Sequence, residues 1–237
     1  MKLSSLKALV FDVQGTATDF RTTLAAVAER LSDGRAEKTD WGCFVDEWRG
    51  MYRPALDAVL TGQRPWTPVD TIYREALDRL LRDRKLDFFS ESERQELNFA
   101  WQKIQPWPDV VPGLQRLKQK FKLATLSNAD VSAVINISRF GSLPWDAVFA
   151  AEMAGTFKPD PRTYQLALRY LGLEPAEVMM VACHKYDLHA AKRLGLITAF
   201  VARPLEFGLD GKVDVQFEDA FDINATDFLH LAEQLGC

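Results

Sequence analysis

Cysteine is scarce in this chain of 237 residues: Cys43, Cys183 and Cys237, an odd number without framework spacing. That excludes a disulfide-stapled secreted scaffold and suits a reducing compartment, so a cytoplasmic protein is expected. No stretch approaches the roughly 18 uninterrupted apolar residues of a membrane span. The opening Met1-Lys2-Leu3-Ser4-Ser5-Leu6 imitates a secretory leader, but its apolar part is short and runs into Asp12 without a small-residue cleavage site. Basic blocks are also missing; with a net charge of -4 the chain offers no footprint for nucleic acid. No glycine-rich phosphate loop follows the first apolar run, which leaves nucleotide-binding and hydride-transfer readings unsupported. Internal repeats and low-complexity segments are absent too. What is present is 47% hydrophobic residues, ample for a sizeable core, in a length that suits one large domain or two unequal ones.

The organising stretch is Leu9-Val10-Phe11-Asp12-Val13-Gln14-Gly15-Thr16. A short apolar run closed by turn residues reads as a buried strand. In an open α/β sheet such a strand presents Asp12 at its carboxyl end, where these folds place their ligands. There a carboxylate is well placed as a nucleophile; it is equally well placed to cap a turn. The stretch alone does not choose.

From about Phe20 to Pro106 the pattern changes to helices without a convincing strand. Leu24, Val27, Ala28 and Leu31 recur at helical spacing within Thr22–Leu31, and Cys43–Leu60 is a longer helix that Pro54 should kink. Val69–Leu81 and Ser92–Trp101 complete a helical module. Beyond Pro108, strands and helices alternate: Pro112 at a helix start, strand Lys122–Leu126, helix Val131–Ile137, a strand-like Ala147–Ala150, and a helix capped by Asp160-Pro161. Strand Val178–Ala182, a helix stopped by Gly195, strand Ile197–Val201 and a final helix around Ala225–Leu235 follow. The expected fold class is α/β: a doubly wound, mostly parallel sheet, Rossmann-like, with an inserted helical cap domain. The expected core domain spans 1–19 and 108–237, and the inserted helical domain spans 20–107.

Four polar groups fall after strands of this sheet: Asp12, Ser127-Asn128, Lys158 and Asp187. Parallel strands bring such residues to one edge, where they form a coherent set: a nucleophile, an anion-holding hydroxyl, a cation that keeps the nucleophile ionised, and a carboxylate that can orient water. Each residue alone has a duller reading as a helix cap or a solvated charge.

In order, Asp12-Val13-Gln14-Gly15-Thr16, Leu126-Ser127-Asn128, Lys158-Pro159-Asp160 and His184-Lys185-Tyr186-Asp187 resemble the four motifs of the haloacid dehalogenase superfamily. The resemblance covers nearly the whole chain, since the helical module matches the cap domain that this family inserts after its first strand. Most members are phosphatases, with a second aspartate two positions after the nucleophile to protonate the leaving group. Here that position is Gln14, and an amide cannot act as a general acid. A departing halide needs no proton.

Trp48-Arg49 in the helical module and Lys158-Pro159-Asp160-Pro161-Arg162-Thr163-Tyr164 resemble the type II 2-haloacid dehalogenase branch. The resemblance implies that Asp12 attacks carbon, Arg49 receives the halide, Lys158 touches the nucleophile, Asp187 orients water, Ser127 holds the substrate carboxylate and Thr16 bonds within the nucleophile loop. Gln14, Asn128, Tyr164, His184 and Tyr186 would line the substrate site. By the same resemblance the enzyme needs no metal and no cofactor, acts on a small haloacid and releases halide ion, and belongs to a branch rich in homodimers. Ala182, Gln14, Tyr186 and His184 depart from well-known members. His184 reads as a halide donor, an aid to water or a structural histidine; Cys183 beside it reads as a buried thiol. The expected reaction is hydrolysis of short (S)-2-haloalkanoic acids to (R)-2-hydroxy acids through an aspartyl ester. The alternatives are a magnesium-dependent phosphatase and a catalytically silent anion-binding member.

Overall fold

The computed structural model describes residues 3–237; Met1 and Lys2, which begin the leader-like hexapeptide, lie outside the described residues. The first apolar run becomes β1 (Ala8–Phe11), with all four residues buried. A strand covered on both faces has no polar side to show, hence its continuous rather than alternating apolar sequence. After β2 (Thr18–Asp19) come four helices: α1 (Phe20–Ser32), α2 (Trp41–Leu60), α3 (Val69–Asp83) and α4 (Glu91–Phe99). The chain returns through β3 (Gln105–Pro106), which pairs antiparallel with β2, so exit and re-entry of the helical region are tied side by side. Then follow α5 (Val110–Leu117), β4 (Lys122–Thr125), α6 (Val131–Phe140), α7 (Pro161–Leu171) and β5 (Val178–Ala182). The chain ends with α8 (Lys185–Arg193), β6 (Ile197–Val201), β7 (Ile223–Ala225) and α9 (Phe228–Gln234).

The five-stranded sheet has the order β4-β1-β5-β6-β7, and every neighbouring pair is parallel. Successive β1 residues face opposite layers. Leu9 and Phe11 pack with Val110, Leu114, Phe228 and Leu231 of α5 and α9. Ala8 and Val10 pack with Tyr164, Ala167, Leu188 and Ala191 of α7 and α8. This is the doubly wound arrangement with a cap-like helical region. The chain leaves β1 for β4 on one side and later for β5 on the other, so the strand order reverses at the carboxyl end of β1, where such folds open a crevice.

In the helical region, local caps set the helix starts. Asp19 accepts from the Thr22 N–H at 3.0 Å, Asp40 from the Cys43 N–H at 2.9 Å, and Ser90 with Glu93 forms a capping box. α3 has no cap of its own, because Pro68 precedes it. Asp130, just before α6, supplies one across the fold, accepting from the Val69 and Asp70 N–H groups at 2.9 and 2.8 Å. The packed side of the helices is aromatic: Tyr73 stacks on Trp101 with ring centres 3.9 Å apart, and Trp48 meets both edge-on. No helix among the described residues is long and apolar enough to cross a membrane.

Several elements depart from the sequence expectation. Ala147–Ala150 forms only isolated bridges, to Ala124 and Ser127. The Thr125 hydroxyl bonds both the N–H and the C=O of Phe149, and the Thr125 N–H reaches Ala147 O at 3.2 Å, so the segment lies against the end of β4 without a continuous ladder. Ala225 ends a strand instead of opening the last helix, which starts after the Asp227 cap. β3 is a short strand where none was expected.

Gly113 of α5 faces α9 so closely that a Cβ there would sit 2.8 Å from the Phe228 carbonyl carbon and 2.9 Å from its oxygen. Gly113→Ala should gain about 0.5–1 kcal/mol of helix propensity but cost about 1–3 kcal/mol by forcing backbones apart. The expected result is a lower urea midpoint at unchanged slope; a midpoint equal to the parent's would show that α5 and α9 part freely.

Candidate active site

Past the end of β1, the Asp12 N–H still bonds Val181 O at 3.0 Å, which fixes where its carboxylate points. The loop then turns through Gly15 at φ 87°, a conformation that side chains resist. A Cβ at Gly15 would also collide with the Glu206 carboxylate. The loop is gripped from outside: Trp107 Nε1 donates to Gly15 O at 2.9 Å and Arg203 Nε to Thr16 O at 2.7 Å. Arg203 is itself held by a two-pronged ion pair with Asp109, at 2.8 and 2.9 Å.

Around Asp12 the groups interlock. Its Oδ1 meets Lys158 Nζ at 3.0 Å; its Oδ2 accepts from the Thr16 hydroxyl at 2.7 Å and lies 3.1 Å from His184 Nδ1. The Lys158 ammonium also pairs with Asp187, whose other oxygen accepts from the Tyr164 hydroxyl at 2.6 Å. Lys158 is 1% exposed and Asp187 fully buried. Burial opposes the charge on Asp12, but Lys158, His184 and Thr16 together outweigh it and hold its carboxyl well below the usual carboxylate range. At Asp187 burial wins and the carboxyl is pushed up, while Lys158, despite burial, is raised by its two carboxylates and stays charged. The site therefore offers an ionised, desolvated carboxylate at a strand end, next to a fixed cation.

Ser127 and Asn128 follow β4 directly. Asn128 uses its side chain on Lys158 itself, accepting from the Lys158 N–H at 2.7 Å and donating to its C=O at 3.2 Å. The Ser127 hydroxyl, in a residue 1% exposed, has no hydrogen-bond partner among the described residues. From the helical region, Arg49 Nη1 donates to the Tyr73 hydroxyl at 2.7 Å, which donates to Gln14 Oε1 at 2.9 Å. The Arg49 guanidinium lies over the Tyr52 ring at 4.2 Å and near Phe20 at 5.4 Å. Trp48, its neighbour, is fully buried and donates to Tyr73 O. Tyr52 reaches Asn128 O at 2.9 Å, and Tyr186, half-exposed beside His184, lies under Arg53 at 4.7 Å.

Asp12, Thr16, Lys158, Tyr164, His184 and Asp187 thus form one hydrogen-bonded network, and Gln14 with Arg49 forms a second, linked through Tyr73. Sequence reasoning missed Glu206, which lies 2.9 Å from His184 Nε2 in the irregular tail and carries no local signal. It also assigned no site role to Tyr52 and Tyr73, which lie within the expected Cys43–Leu60 and Val69–Leu81 helices; their buried rings carry hydroxyls that reach Asn128 and Gln14.

A cation between Asp12 and Asp187 is already supplied by the Lys158 ammonium. Ligand-type atoms of Cys183, His184 and Glu206 lie within 4.8 Å of one another. His184 Nδ1 lies against Asp12 and Nε2 against Glu206, so these residues form a hydrogen-bond chain.

Sheet topology and strand-end chemistry define a Rossmann-like hydrolase core with a helical region over its site. The haloacid dehalogenase-like hydrolase family matches residues 6–195, and the chain belongs to that family. It is 31% identical over 201 residues to the (S)-2-haloacid dehalogenase of Xanthobacter autotrophicus, covering 84% of this chain and 76% of that protein. Among solved structures it resembles the L-2-haloacid dehalogenase PA0810, with 39% identity, a TM-score of 0.91 and coverage of 97% and 99%. It also resembles the defluorinating L-2-haloacid dehalogenase Rha0230, with 37% identity, a TM-score of 0.93 and coverage of 98% and 96%.

Lys158→Met should leave two buried carboxylates without their cation and destabilise the fold at neutral pH by about 3–5 kcal/mol. In the parent, the depressed Asp12 pKa contributes stability that is present above its unfolded value and lost as pH falls through the folded one. In the variant, loss of the cation raises both folded carboxyl pKa values relative to the parent, so the destabilisation grows as pH rises. Urea unfolding should therefore show the deficit shrinking toward about pH 4, the ordinary carboxylate range; a deficit constant with pH would refute the charge account.

Proposed function

We infer that this protein hydrolyses short (S)-2-haloalkanoic acids to (R)-2-hydroxy acids through a covalent ester on Asp12. The observation that carries the reading is the chain Arg49–Tyr73–Gln14. The position two after Asp12 is spent on an amide that holds a cap-side arginine, not on an acid that could protonate a phosphate leaving group. The activities of the relatives named above agree with this.

Asp12 attacks the halogen-bearing carbon in line, and the halide departs toward Arg49, whose fixed positive charge stabilises the charge developing on it. One displacement at carbon inverts it. Water then attacks the Asp12 carboxyl carbon, which leaves the stereocentre untouched and regenerates the nucleophile. The unpartnered Ser127 hydroxyl is the donor for the substrate carboxylate. Asn128 keeps Lys158 in place, Thr16 orients Asp12, and Tyr164 holds Asp187. Gln14, His184 and Tyr186 border the reacting groups. Lys158 supplies the positive charge that magnesium supplies in phosphatases, so the reaction needs no metal. Residues 20–107 act as the cap domain, and 1–19 with 108–237 as the catalytic core.

Halide release from (S)-2-chloropropionate, with the (R)-isomer as control and fluoroacetate in the panel, should proceed unchanged under a chelator. Magnesium-dependent phosphate release would favour the phosphatase, and release of neither product would favour a silent anion-binding member.

Two variants test the roles. Asp12→Asn should abolish halide release without unfolding, since an amide of similar shape is a poor nucleophile. Arg49→Lys should lower kcat by about 10²–10³-fold, because a point charge on a flexible stem replaces a fixed guanidinium stabilising the departing halide. Near-parent turnover by either variant would overturn its assigned role.

A further inference from the structure

Most of the reacting groups are shut away from water: Asp12, Gln14, Ser127, Lys158 and Asp187 are all buried. Of the site residues described above, Arg49 and His184 are partly exposed and Tyr186 is 39% exposed. The way in from solvent therefore runs between the face of α2 that carries Arg49 and the first turn of α8 that carries Tyr186. Arg53 lies four residues after Arg49, so the two share one face of α2, a turn apart. Its guanidinium lies 4.7 Å from the centre of the Tyr186 ring, and that ring lies 6.0 Å from the ring of His184. A half-exposed arginine of the helical region thus rests on an aromatic ring of the core, across the opening. Arg53 Nε donates to Asp57 at 2.8 Å, while its Nη groups donate to no described residue. Neighbouring charges are already paired: Lys185 with Asp214 and Glu218, Glu47 with Arg84, and Asp46 with Arg21.

Resting on the haloacid reading above, we propose that Arg53 is a substrate-recruiting residue. It holds the carboxylate of the incoming acid at the mouth of the site, with Tyr186 as its seat, before the substrate passes inward to Ser127 and Asp12. The substrate is an anion that must leave water to approach a buried carboxylate, and a cation at the mouth lowers the cost of that approach. Arg49 is placed for a different task, since its Nη1 is held on the Tyr73 hydroxyl within the site. The free Nη groups of Arg53 can meet both oxygens of a carboxylate at once. A cation–ring contact at a half-exposed position is weak, so the guanidinium can exchange it for a passing anion. Asp57 competes for the same guanidinium and so limits its hold on substrate. Arg53 makes and breaks no bond in the reaction. It sets how readily the site fills and leaves the displacement itself to Asp12 and Arg49.

Recruitment is read from KM and its salt dependence. Halide release from (S)-2-chloropropionate is followed for the parent, Arg53→Gln, Arg53→Lys and Asp57→Asn, with sodium sulfate setting ionic strengths from about 0.01 M to about 1 M. At low ionic strength Arg53→Gln should raise KM by about 3–10-fold and keep kcat within about twofold of the parent. Arg53→Lys should keep most of the parent KM, because the positive charge remains. Asp57→Asn should lower KM, because the competing carboxylate is gone. Salt should raise the KM of the parent toward that of Arg53→Gln and change the latter much less. A fall in kcat common to Arg53→Gln and Arg53→Lys, at a KM indifferent to salt, would mark a merely structural tie between α2 and α8 and overturn the proposal. A parent-like KM in Arg53→Gln would overturn it as well. If Arg53→Gln does not fold, Asp57→Asn decides: a KM unchanged or raised counts against recruitment. Parent enzyme that releases no halide would sink the dehalogenase reading and recruitment with it, whereas an active parent with parent-like variants sinks recruitment alone.

Discussion

A single ammonium group, Lys158 Nζ, lies between the carboxylates of Asp12 and Asp187 and is almost wholly withdrawn from water. Two like charges that close could not both stay ionised without it. Much of the surrounding structure serves to keep that ammonium still. Asn128 grips its backbone on both sides, Tyr164 fixes the far oxygen of Asp187, and Thr16 fixes the near side of Asp12. A buried triad of this kind is weak evidence for stability, since burying the ions costs much of what their attraction returns. Its consequence is chemical: a carboxylate kept ionised with little water around it is a stronger nucleophile than one at the surface.

The helical region needs the same precision, and it has few covalent means of getting it, because the chain enters and leaves through the short pair β2 and β3. Side chains do the locating. Asp130 caps α3 from the core, Tyr52 reaches Asn128, and Tyr73 reaches Gln14. Two of these contacts end on residues of the site, and Asp130 lies two positions after Asn128. Movement of the helical region would therefore be felt first at Arg49 and Gln14, the two side chains that the Tyr73 hydroxyl joins.

The sequence by itself determined the parts governed by local rules. The unbroken apolar run of β1, the exact span of β5 and β6, the Asp160-Pro161 start of α7 and the helical spacing of α1 to α3 are all written in neighbouring residues. So is the presence of polar residues at strand ends, because parallel strands share one edge. Only the tertiary structure decided the rest. Glu206 sits in a tail without periodicity and becomes part of the site because the Arg203 turn carries it back to Gly15 and His184. The hydroxyls of Tyr52 and Tyr73 look like core positions, since helical periodicity reports which face is buried but not what the polar tip of an aromatic ring reaches. The segment Ala147–Ala150 has strand composition, yet it meets β4 through isolated bridges and the Thr125 hydroxyl on Phe149. In each case the deciding contact joins residues far apart in the chain, and spacing along a sequence cannot encode a distance across a fold.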